Sequence, residues 1–395
     1  MKLLKIVVDG LPLYKKRLDI CFYAQQRVSE EQRDYLYPLF SSVFLNTTNV
    51  FAGINASGKT STLKVILLAL RLLSGNPINS KTEKNILGRA NSVTFSTYFY
   101  SEKTSEIGKL ETVISFKNMD NDGQPVYKIS SEKLWSKRVT SSTVRKNLLD
   151  FGDVKPLLDR NDPSKKELLS FLADDNSIII SKIKTDEEDV LHVLETLALT
   201  NFNGLPFIGE ISKEIIAYLD PTIEYLNFEN DERHSIRLKF KGQDELVLFN
   251  PLELAKYLSS GTIKGIWIFT FALYTFQKGG YLLVDELENH FNKEIVCTII
   301  RLFKDYNFNR NGGTLIYSTH YPELLDENER NDNVFITNNH GGITVENFSA
   351  ILKRNDIKKS DIYQSGVVTG TAPSYDSYIA LKTKFESMIT SHHEE

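Results

Sequence analysis

The sequence predicts an α/β fold in which a parallel core sheet carries an antiparallel β-subdomain and a short helical insert. An apolar strand at residues 49–52 leads through a glycine-rich loop into a predominantly apolar helix at residues 60–74. Residues 92–130 alternate between apolar and polar side chains, as half-buried strands do. From residue 251 onward, helical and strand patterns follow each other in turn, which is typical of an α/β core.

Changes of pattern divide the 395 residues into four predicted regions. Residues 1–130 form the N-terminal half of the core together with the β-subdomain. Residues 131–220 are more polar, with helical spacing, and we expect them to form a helical insert, or lid. Residues 221–345 supply the C-terminal half of the core, and residues 346–395 a helical extension. The core is therefore expected to be split by the insert.

Composition limits the class of protein. The chain is 41% hydrophobic and 25% charged, which excludes a disordered chain. It has 47 Lys and Arg against 51 Asp and Glu, so its formal net charge is −4, and charge does not indicate DNA as a partner. The two cysteines exclude a disulfide framework and favour a cytoplasmic location. No apolar run approaches the ~18–20 residues of a membrane helix, so no membrane segment is expected.

The loop after the first core strand carries a phosphate-binding motif. Its sequence, Gly-Ile-Asn-Ala-Ser-Gly-Lys-Thr at residues 53–60, matches G-x-x-x-x-G-K-[ST]. Glycines let backbone N–H groups curl around phosphates, and the following helix presents its positive end. Lys59 would reach the β- and γ-phosphates, and Thr60 would offer its hydroxyl to Mg²⁺. The predicted ATP-binding residues are Gly53, Asn55, Ala56, Ser57, Gly58, Lys59, Thr60 and Ser61.

A second motif delivers two carboxylates to the end of a buried strand. Residues 281–286 read Tyr-Leu-Leu-Val-Asp-Glu. In an open α/β sheet, ligands bind at the carboxyl ends of the strands. Asp285 would hold Mg²⁺ together with Thr60, and Glu286 would orient or deprotonate the attacking water. Alone, such a strand is commonly structural, but beside a phosphate loop the functional interpretation is favoured.

Two further motifs flank this strand. Ser259, Ser260 and Gly261 open an apolar helix at residues 263–276, and small polar residues at a helix start form either an ordinary cap or an anion site. An apolar strand at residues 314–319 ends in His320. A histidine at a strand end is usually structural, but this one follows the Asp-Glu strand by one helix and is well placed to contact a γ-phosphate.

The order of these four motifs resembles that of the ABC-type ATPases, P-loop NTPases, and in particular their SMC/RecF/OLD-like branch. Asn55 in the phosphate loop and the Glu288-x-His290 stretch resemble that branch. Residues 23–29, Tyr-Ala-Gln-Gln-Arg-Val-Ser, and residues 355–359, Asn-Asp-Ile-Lys-Lys, resemble stand-alone ATPases of phage-defence loci, of the abortive-infection AbiL and PARIS kind.

The resemblance implies a Mg²⁺-dependent ATP hydrolase that closes as a head-to-tail dimer, or higher oligomer, around two ATP molecules. Ser259, Ser260 and Gly261 would contact the γ-phosphate bound by another subunit, and His320 would act as the switch histidine. The resemblance also implies control of a separate effector, encoded by a neighbouring gene, in antiphage defence. Two alternatives stay open: a RecF-like repair ATPase that clamps DNA, and a slow nucleotide-gated scaffold.

The sequence also departs from the pattern of this branch. Ala56 and Ser260 replace glycines that are common in these motifs, and Thr262 replaces a glutamine or glutamate. The glutamine of the Q-loop has no clear counterpart, since Gln124 lies in a predicted turn. We therefore expect water to be positioned differently and hydrolysis to be slow.

Overall fold

In the computed structural model, the described residues form two six-stranded sheets, one three-stranded sheet and one two-stranded hairpin. None of the helices in the described ranges combines the length and apolar character that crossing a bilayer requires. The described residues are 1–80, 82–165, 172–185, 190–199, 204–205, 211–229, 235–289, 291–365, 368, 371 and 375–391.

The strands and helices are numbered here in chain order. The strands are β1 (Lys2–Asp9), β2 (Leu18–Cys21), β3 (Leu36–Phe40), β4 (Val43–Asn46), β5 (Thr48–Ala52), β6 (Val93–Ser101), β7 (Glu106–Met119), β8 (Pro125–Arg138), β9 (Leu158–Asp159), β10 (Val193–Glu195), β11 (Ile223–Phe228), β12 (Ile236–Phe240), β13 (Leu246–Leu248), β14 (Tyr281–Val284), β15 (Thr314–Thr319), β16 (Val334–Asn339) and β17 (Ile343–Asn347). The helices are α1 (Lys59–Leu73), α2 (Ile179–Thr185), α3 (Lys213–Leu219), α4 (Ser260–Lys278), α5 (Lys293–Lys304), α6 (Phe348–Ile351), α7 (Lys359–Gln364) and α8 (Tyr375–Ser391).

The core sheet has the order β10-β14-β15-β5-β16-β17. All of its neighbours pair in parallel except β16 and β17. Every residue of β5, β14 and β15 is buried, because one hydrophobic cluster that includes α1 and another that includes α4 and α5 cover the sheet. The parallel arrangement brings the carboxyl ends of β5, β14 and β15 to one edge, where the predicted site residues follow.

The antiparallel β-subdomain is larger than the sequence indicates. Its sheet has the order β2-β1-β6-β7-β8-β9. Strand β8 continues to Arg138 and pairs with β7 along its length, so the domain boundary expected at residue 130 falls inside a strand. Polar residues in the second half of β8 hide this strand from a reading of the sequence. One of them, Glu132, is nevertheless fully buried and accepts hydrogen bonds from Thr112, Ser177 and the Ile178 amide.

The region expected to be a helical insert, residues 131–220, is mixed in its described part. It contains α2 and α3 but also β9 and β10. A helix is expected at residues 186–199; residues 186–189 lie outside the described residues, and β10 instead adds a parallel edge strand beside β14. This pairing joins positions 88 residues apart, Val193 and Tyr281 (281 − 193), so local helical spacing could not reveal it. Of a further helix expected at residues 164–173, residues 166–171 lie outside the described residues.

The C-terminal half of the chain follows the predicted order of elements. Strands β11, β12 and β13 form a separate antiparallel sheet that packs with α3 and the first half of α4. Helix α4 ends at Lys278 and is capped by Gly279, whose φ of 64° suits glycine and lets the chain turn directly into β14. Residues beyond β17 carry the helices α6, α7 and α8. The order α4-β14-α5-β15 positions the carboxylate and histidine motifs on adjacent strands.

Candidate functional site

The phosphate-binding motif forms a tight loop between β5 and α1. Ala56 and Gly58 adopt positive φ angles of 61° and 102°. A side chain at Gly53 would lie 2.3 Å from the Ser57 hydroxyl, so the loop closes only around glycine there. Gly58 precedes α1 and offers no side-chain cap to its first turn. The N-terminal end of α1 therefore faces the cleft with its backbone donors, as an anion site requires.

Strand β16 holds the outer side of this loop. The Ser57 hydroxyl lies 2.7 Å from that of Thr337, and the Asn339 amide donates to the Ala56 carbonyl at 3.2 Å. The Thr337 hydroxyl also donates to the Ala52 carbonyl at the end of β5. These contacts fix the loop from a strand that carries no recognisable nucleotide motif.

Lys59 lies at the centre of the cleft. It is buried, with only 5% of its surface exposed. The ammonium donates to the carbonyls of Gly53 and Ile54 at 2.8 and 3.0 Å and lies 3.2 Å from Nδ1 of His320. Burial lowers the pKa of Lys59, and the nearby carboxylates of Asp285 and Glu286 oppose that shift.

The carboxylate of Asp285 joins β14, β15 and α1. Its Oδ2 accepts a hydrogen bond from the Thr60 hydroxyl at 2.6 Å, and its Oδ1 accepts one from the Ser318 hydroxyl at 2.5 Å. The same Ser318 oxygen accepts a hydrogen bond from the Glu286 amide at 2.7 Å. Ser318 therefore sets the position of both residues of the Asp-Glu pair.

Glu286 points toward His320. Its backbone has a positive φ of 51°, a conformation that non-glycine residues seldom adopt and that recurs at functional sites. The Glu286 carboxylate lies 3.3 Å from His320 Nε2, while His320 Nδ1 faces Lys59. Glu288 accepts a hydrogen bond from the His320 amide at 2.6 Å, which fixes the backbone at the end of β15. The result is a polar chain from Glu286 through His320 to Lys59.

Residues 55–61, Glu286 and His320 line one open cavity of about 790 Å³, together with residues 12–13, Asn339 and residues 341–343. Asp285 contacts this lining through Thr60. The residues present fit ATP and Mg²⁺. Backbone donors and one ammonium face the place where phosphates would lie, and the Thr60 hydroxyl and Asp285 carboxylate supply the oxygen ligands that Mg²⁺ prefers. Of the predicted ATP-binding residues, Asn55, Ala56, Ser57, Gly58, Lys59, Thr60 and Ser61 line this cavity.

The predicted residues of the third motif lie elsewhere. Ser259 caps α4 by accepting a hydrogen bond from the Thr262 amide at 3.0 Å, and Ser260 and Gly261 form the first turn. Among the described residues that line the cavity, none comes from 259–261. Gln124 lies exposed in the turn between β7 and β8, outside the cavity. His290 lies outside the described residues.

Sequence reasoning missed the residues that hold the motifs in place. Ser318 reads as an ordinary strand residue two positions before His320, and Thr337 and Asn339 belong to a strand without a motif. Their contacts join residues 33 and 280 positions apart, as in Ser318 to Asp285 and Ser57 to Thr337. The one usable signal was position, because Ser318 follows a buried strand toward the same sheet edge as Asp285.

Comparison with known families agrees with this geometry. Residues 48–326, which are more than half of the chain, match the AAA_21 family model, described as "AAA domain, putative AbiEii toxin, Type IV TA system". The chain belongs to the AAA_21 family. The predicted P-loop ATPase fold is thereby confirmed, and the matched span includes all four motifs.

Other comparisons add less to this AAA_21 assignment. One matching solved structure is that of the recombination mediator protein RecF with ATP in the RecFOR pathway, at 14% identity and a TM-score of 0.33. The match covers 87% of this chain and 97% of that one. The likeness is too distant to transfer a function. The comparison with curated proteins gave no match.

Proposed function

We propose that this AAA_21 protein is a Mg²⁺-dependent ATP hydrolase that closes as a dimer around ATP. The observation that carries the proposal is the contact of Thr60 with Asp285 at 2.6 Å, beside the chain from Glu286 through His320 to Lys59. Three motifs meet there at one sheet edge, although the phosphate-binding loop is more than 200 residues away from the other two in the sequence. A plain structural role would not require a buried ammonium, three polar strand ends and an open cavity at the same place.

The residues divide the chemistry among them. Lys59 and the first turn of α1 bind and orient the phosphates, and Thr60 and Asp285 would hold Mg²⁺, which supplies charge neutralisation at the phosphates. Glu286 is the base that takes the proton of the attacking water. Ser318 fixes the Glu286 amide, and His320, 3.3 Å from the Glu286 carboxylate, orients that carboxylate so that it could accept the proton of a water attacking the γ-phosphate.

The dimer is proposed from the location of the third motif. Ser259, Ser260 and Gly261 carry the small and polar side chains of an anion site, but they are not among the described residues that line the cavity of their own chain. A head-to-tail partner would bring this helix start to the γ-phosphate in the other chain's cavity. The replacement of glycine by Ser260 supports slow turnover, because the approach of the helix is less close.

The biological role proposed is control of a separate effector in antiphage defence, at a cytoplasmic location. The family description, which names a toxin of a type IV toxin–antitoxin system, supports a paired gene product as partner. A RecF-like DNA clamp is the second candidate. The net charge of −4 disfavours a clamp that depends on DNA throughout its cycle.

Hydrolysis is tested first. Purified protein should release phosphate from ATP only with Mg²⁺, and Glu286→Gln should lower the rate by at least about 100-fold, because the amide cannot accept a proton. Glu224→Gln is a matched control, since Glu224 is a surface residue that pairs with Lys239. Equal rates in wild type and Glu286→Gln would remove the general-base assignment.

The partner is tested with the same variant. Glu286→Gln loaded with Mg²⁺-ATP is passed over a size-exclusion column with the neighbouring gene product or with duplex DNA. Co-elution of the protein product supports effector control. Co-elution of DNA without any protein partner moves the assignment to the DNA clamp, and co-elution of neither contradicts both roles.

A further inference from the structure

A second large cavity lies outside the nucleotide cleft. It measures about 720 Å³ and forms between the segment 23–44 and the loop 144–146. Four of its lining side chains are cationic, and within the described part of the chain no aspartate or glutamate lines it. The four are Arg27, Arg33, Arg145 and Lys146. We call this cavity the basic hollow.

The remaining polar side chains of the basic hollow are neutral groups that can donate hydrogen bonds. They are the Gln25 amide and the hydroxyls of Ser41 and Ser42. Tyr23 and Phe44 add two aromatic rings to the wall. Guanidinium groups match phosphate oxygens in a bidentate geometry, and a wall of donors and cations without acceptor carboxylates favours a phosphate over a cation or a neutral sugar.

Buried side chains hold the backbone of the wall at residues 25–26 through hydrogen bonds. Asp332 is fully buried and accepts hydrogen bonds from the amides of Gln25 and Gln26 at 2.7 and 2.8 Å. Arg330 pairs with Asp332 and donates to the Gln26 carbonyl at 3.0 Å. On the other side, Arg145 donates to the Gln26 carbonyl at 2.8 Å. Because the buried Arg330–Asp332 ion pair binds the backbone of this segment, the basic hollow has a defined shape.

Three of the cations are uncommitted. The Arg145 guanidinium donates a hydrogen bond to the Gln26 carbonyl. The side chains of Arg27, Arg33 and Lys146 are exposed and have no hydrogen-bond or ion-pair partner among the described residues. Clustered like charges repel each other, so three such side chains around one hollow are stabilised when an anion binds. Removing them should also leave the fold intact, because the fold does not use their charges.

We propose that the basic hollow binds a phosphate-bearing ligand of nucleotide size, independently of the nucleotide cleft. Its volume lies within the range of about 300–1,000 Å³ that small-molecule sites occupy, and it is larger than a single phosphate requires. The phosphates lie against Arg27, Arg33 and Lys146, and the attached base lies against Tyr23 and Phe44. A free nucleotide and the end of a single nucleic-acid strand both present this chemistry.

Two probes distinguish the sources. Equilibrium dialysis with labelled ADP counts the sites per chain, and we expect two in wild type if free nucleotide is the ligand. Fluorescence anisotropy with a 5′-phosphorylated tetrathymidylate tests the strand end. The variant is Arg27→Ala with Arg33→Ala, and a second variant is Lys146→Glu. Lys213→Ala with Lys241→Ala removes the same charge from other exposed positions and serves as the control.

The outcomes separate cleanly. For whichever probe binds the basic hollow, the arginine variant should weaken affinity by at least about tenfold, as expected for losing charge-assisted hydrogen bonds. The affinity of the lysine control should stay near that of the wild type. Phosphate release from ATP should be unchanged in every variant, which separates this proposal from that of ATP hydrolysis. One ADP site per chain together with no tetrathymidylate binding, or binding that survives both hollow variants, would overturn the proposal.

Discussion

The nucleotide cleft and the start of α4 differ in how completely one chain builds them. In the cleft, residues from β5, α1, β14 and β15 hold each other through direct contacts, such as Thr60 with Asp285 and Ser318 with Asp285. At the start of α4, Ser259 caps its own helix, and residues 259–261 are not among the described residues that line the cavity. This difference is the basis of our proposal that one chain binds ATP and that a second chain completes the site.

The largest expected effect comes from the cleft itself. Lys59→Ala removes the buried ammonium of the phosphate-binding loop, which would face the phosphates of bound ATP, and we expect ATP affinity to fall by at least about 100-fold, as for the loss of charge-assisted bonds in a buried site. Isothermal titration with ATP and Mg²⁺ measures it. Lys241→Ala, an exposed lysine, is the control. A folded Lys59→Ala protein with wild-type affinity would show that the loop does not bind ATP.

The next effect separates the two regions. Gly261→Glu places a bulky carboxylate at the start of α4, where it would repel the γ-phosphate of another chain. We expect ATP affinity to stay within about twofold and hydrolysis to fall by at least about 100-fold, because the charge meets phosphate only in the dimer. Gly152→Glu, in an exposed loop, controls for added charge. Normal hydrolysis by a monomeric Gly261→Glu protein would contradict the shared site.

A smaller effect is expected at the centre of the polar chain. His320→Ala removes the group between Glu286 and Lys59, so kcat should fall by about 10- to 100-fold while ATP affinity changes little. Single-turnover rates measured beside equilibrium binding separate the two quantities. If binding fell as much as kcat, His320 would serve the loop rather than the reaction.

The smallest expected effect concerns Ser318, one of the residues that the sequence motifs did not indicate. Ser318→Ala removes the oxygen that holds Asp285 and the Glu286 amide, and we expect about tenfold slower turnover with a loss of about 1–2 kcal/mol in the free energy of unfolding. Urea denaturation and phosphate release measure the two. Ser130→Ala, on the exposed face of β8, is the control. An unchanged rate would assign Ser318 to folding alone.

How far the sequence could predict this molecule depends on the range of the interactions. The loop at 53–60 and the helix after it are local patterns, and the structure has α1 at Lys59–Leu73. The buried strands β14 and β15 are also where their apolar runs indicate. Pairing between distant segments was not predictable from local patterns. Strand β10 pairs with β14 although its sequence has helical spacing, and the second half of β8 pairs with β7 although its sequence is polar.

The same limit applies within the candidate site. Lys59, Thr60, Asp285, Glu286 and His320 were predicted because phosphate and metal chemistry restricts which residue types can serve there. Ser318 and Thr337 were not, because a serine or threonine that holds a neighbour differs in no local way from one that merely ends a strand. Their roles are visible only once parallel strands bring them to the same edge.

We propose that ATP closes two chains around the cleft. The most direct measurement is light scattering on a size-exclusion column with Glu286→Gln and Mg²⁺-ATP, because this variant keeps the contacts that bind ATP and loses the step that reopens the dimer. One chain has a mass of 45.1 kDa, so we predict a species at 2 × 45.1 = 90.2 kDa with ATP. Without ATP, or with Gly261→Glu added, the mass should return to that of one chain. A Glu286→Gln protein that binds ATP and stays at 45.1 kDa would contradict the claim.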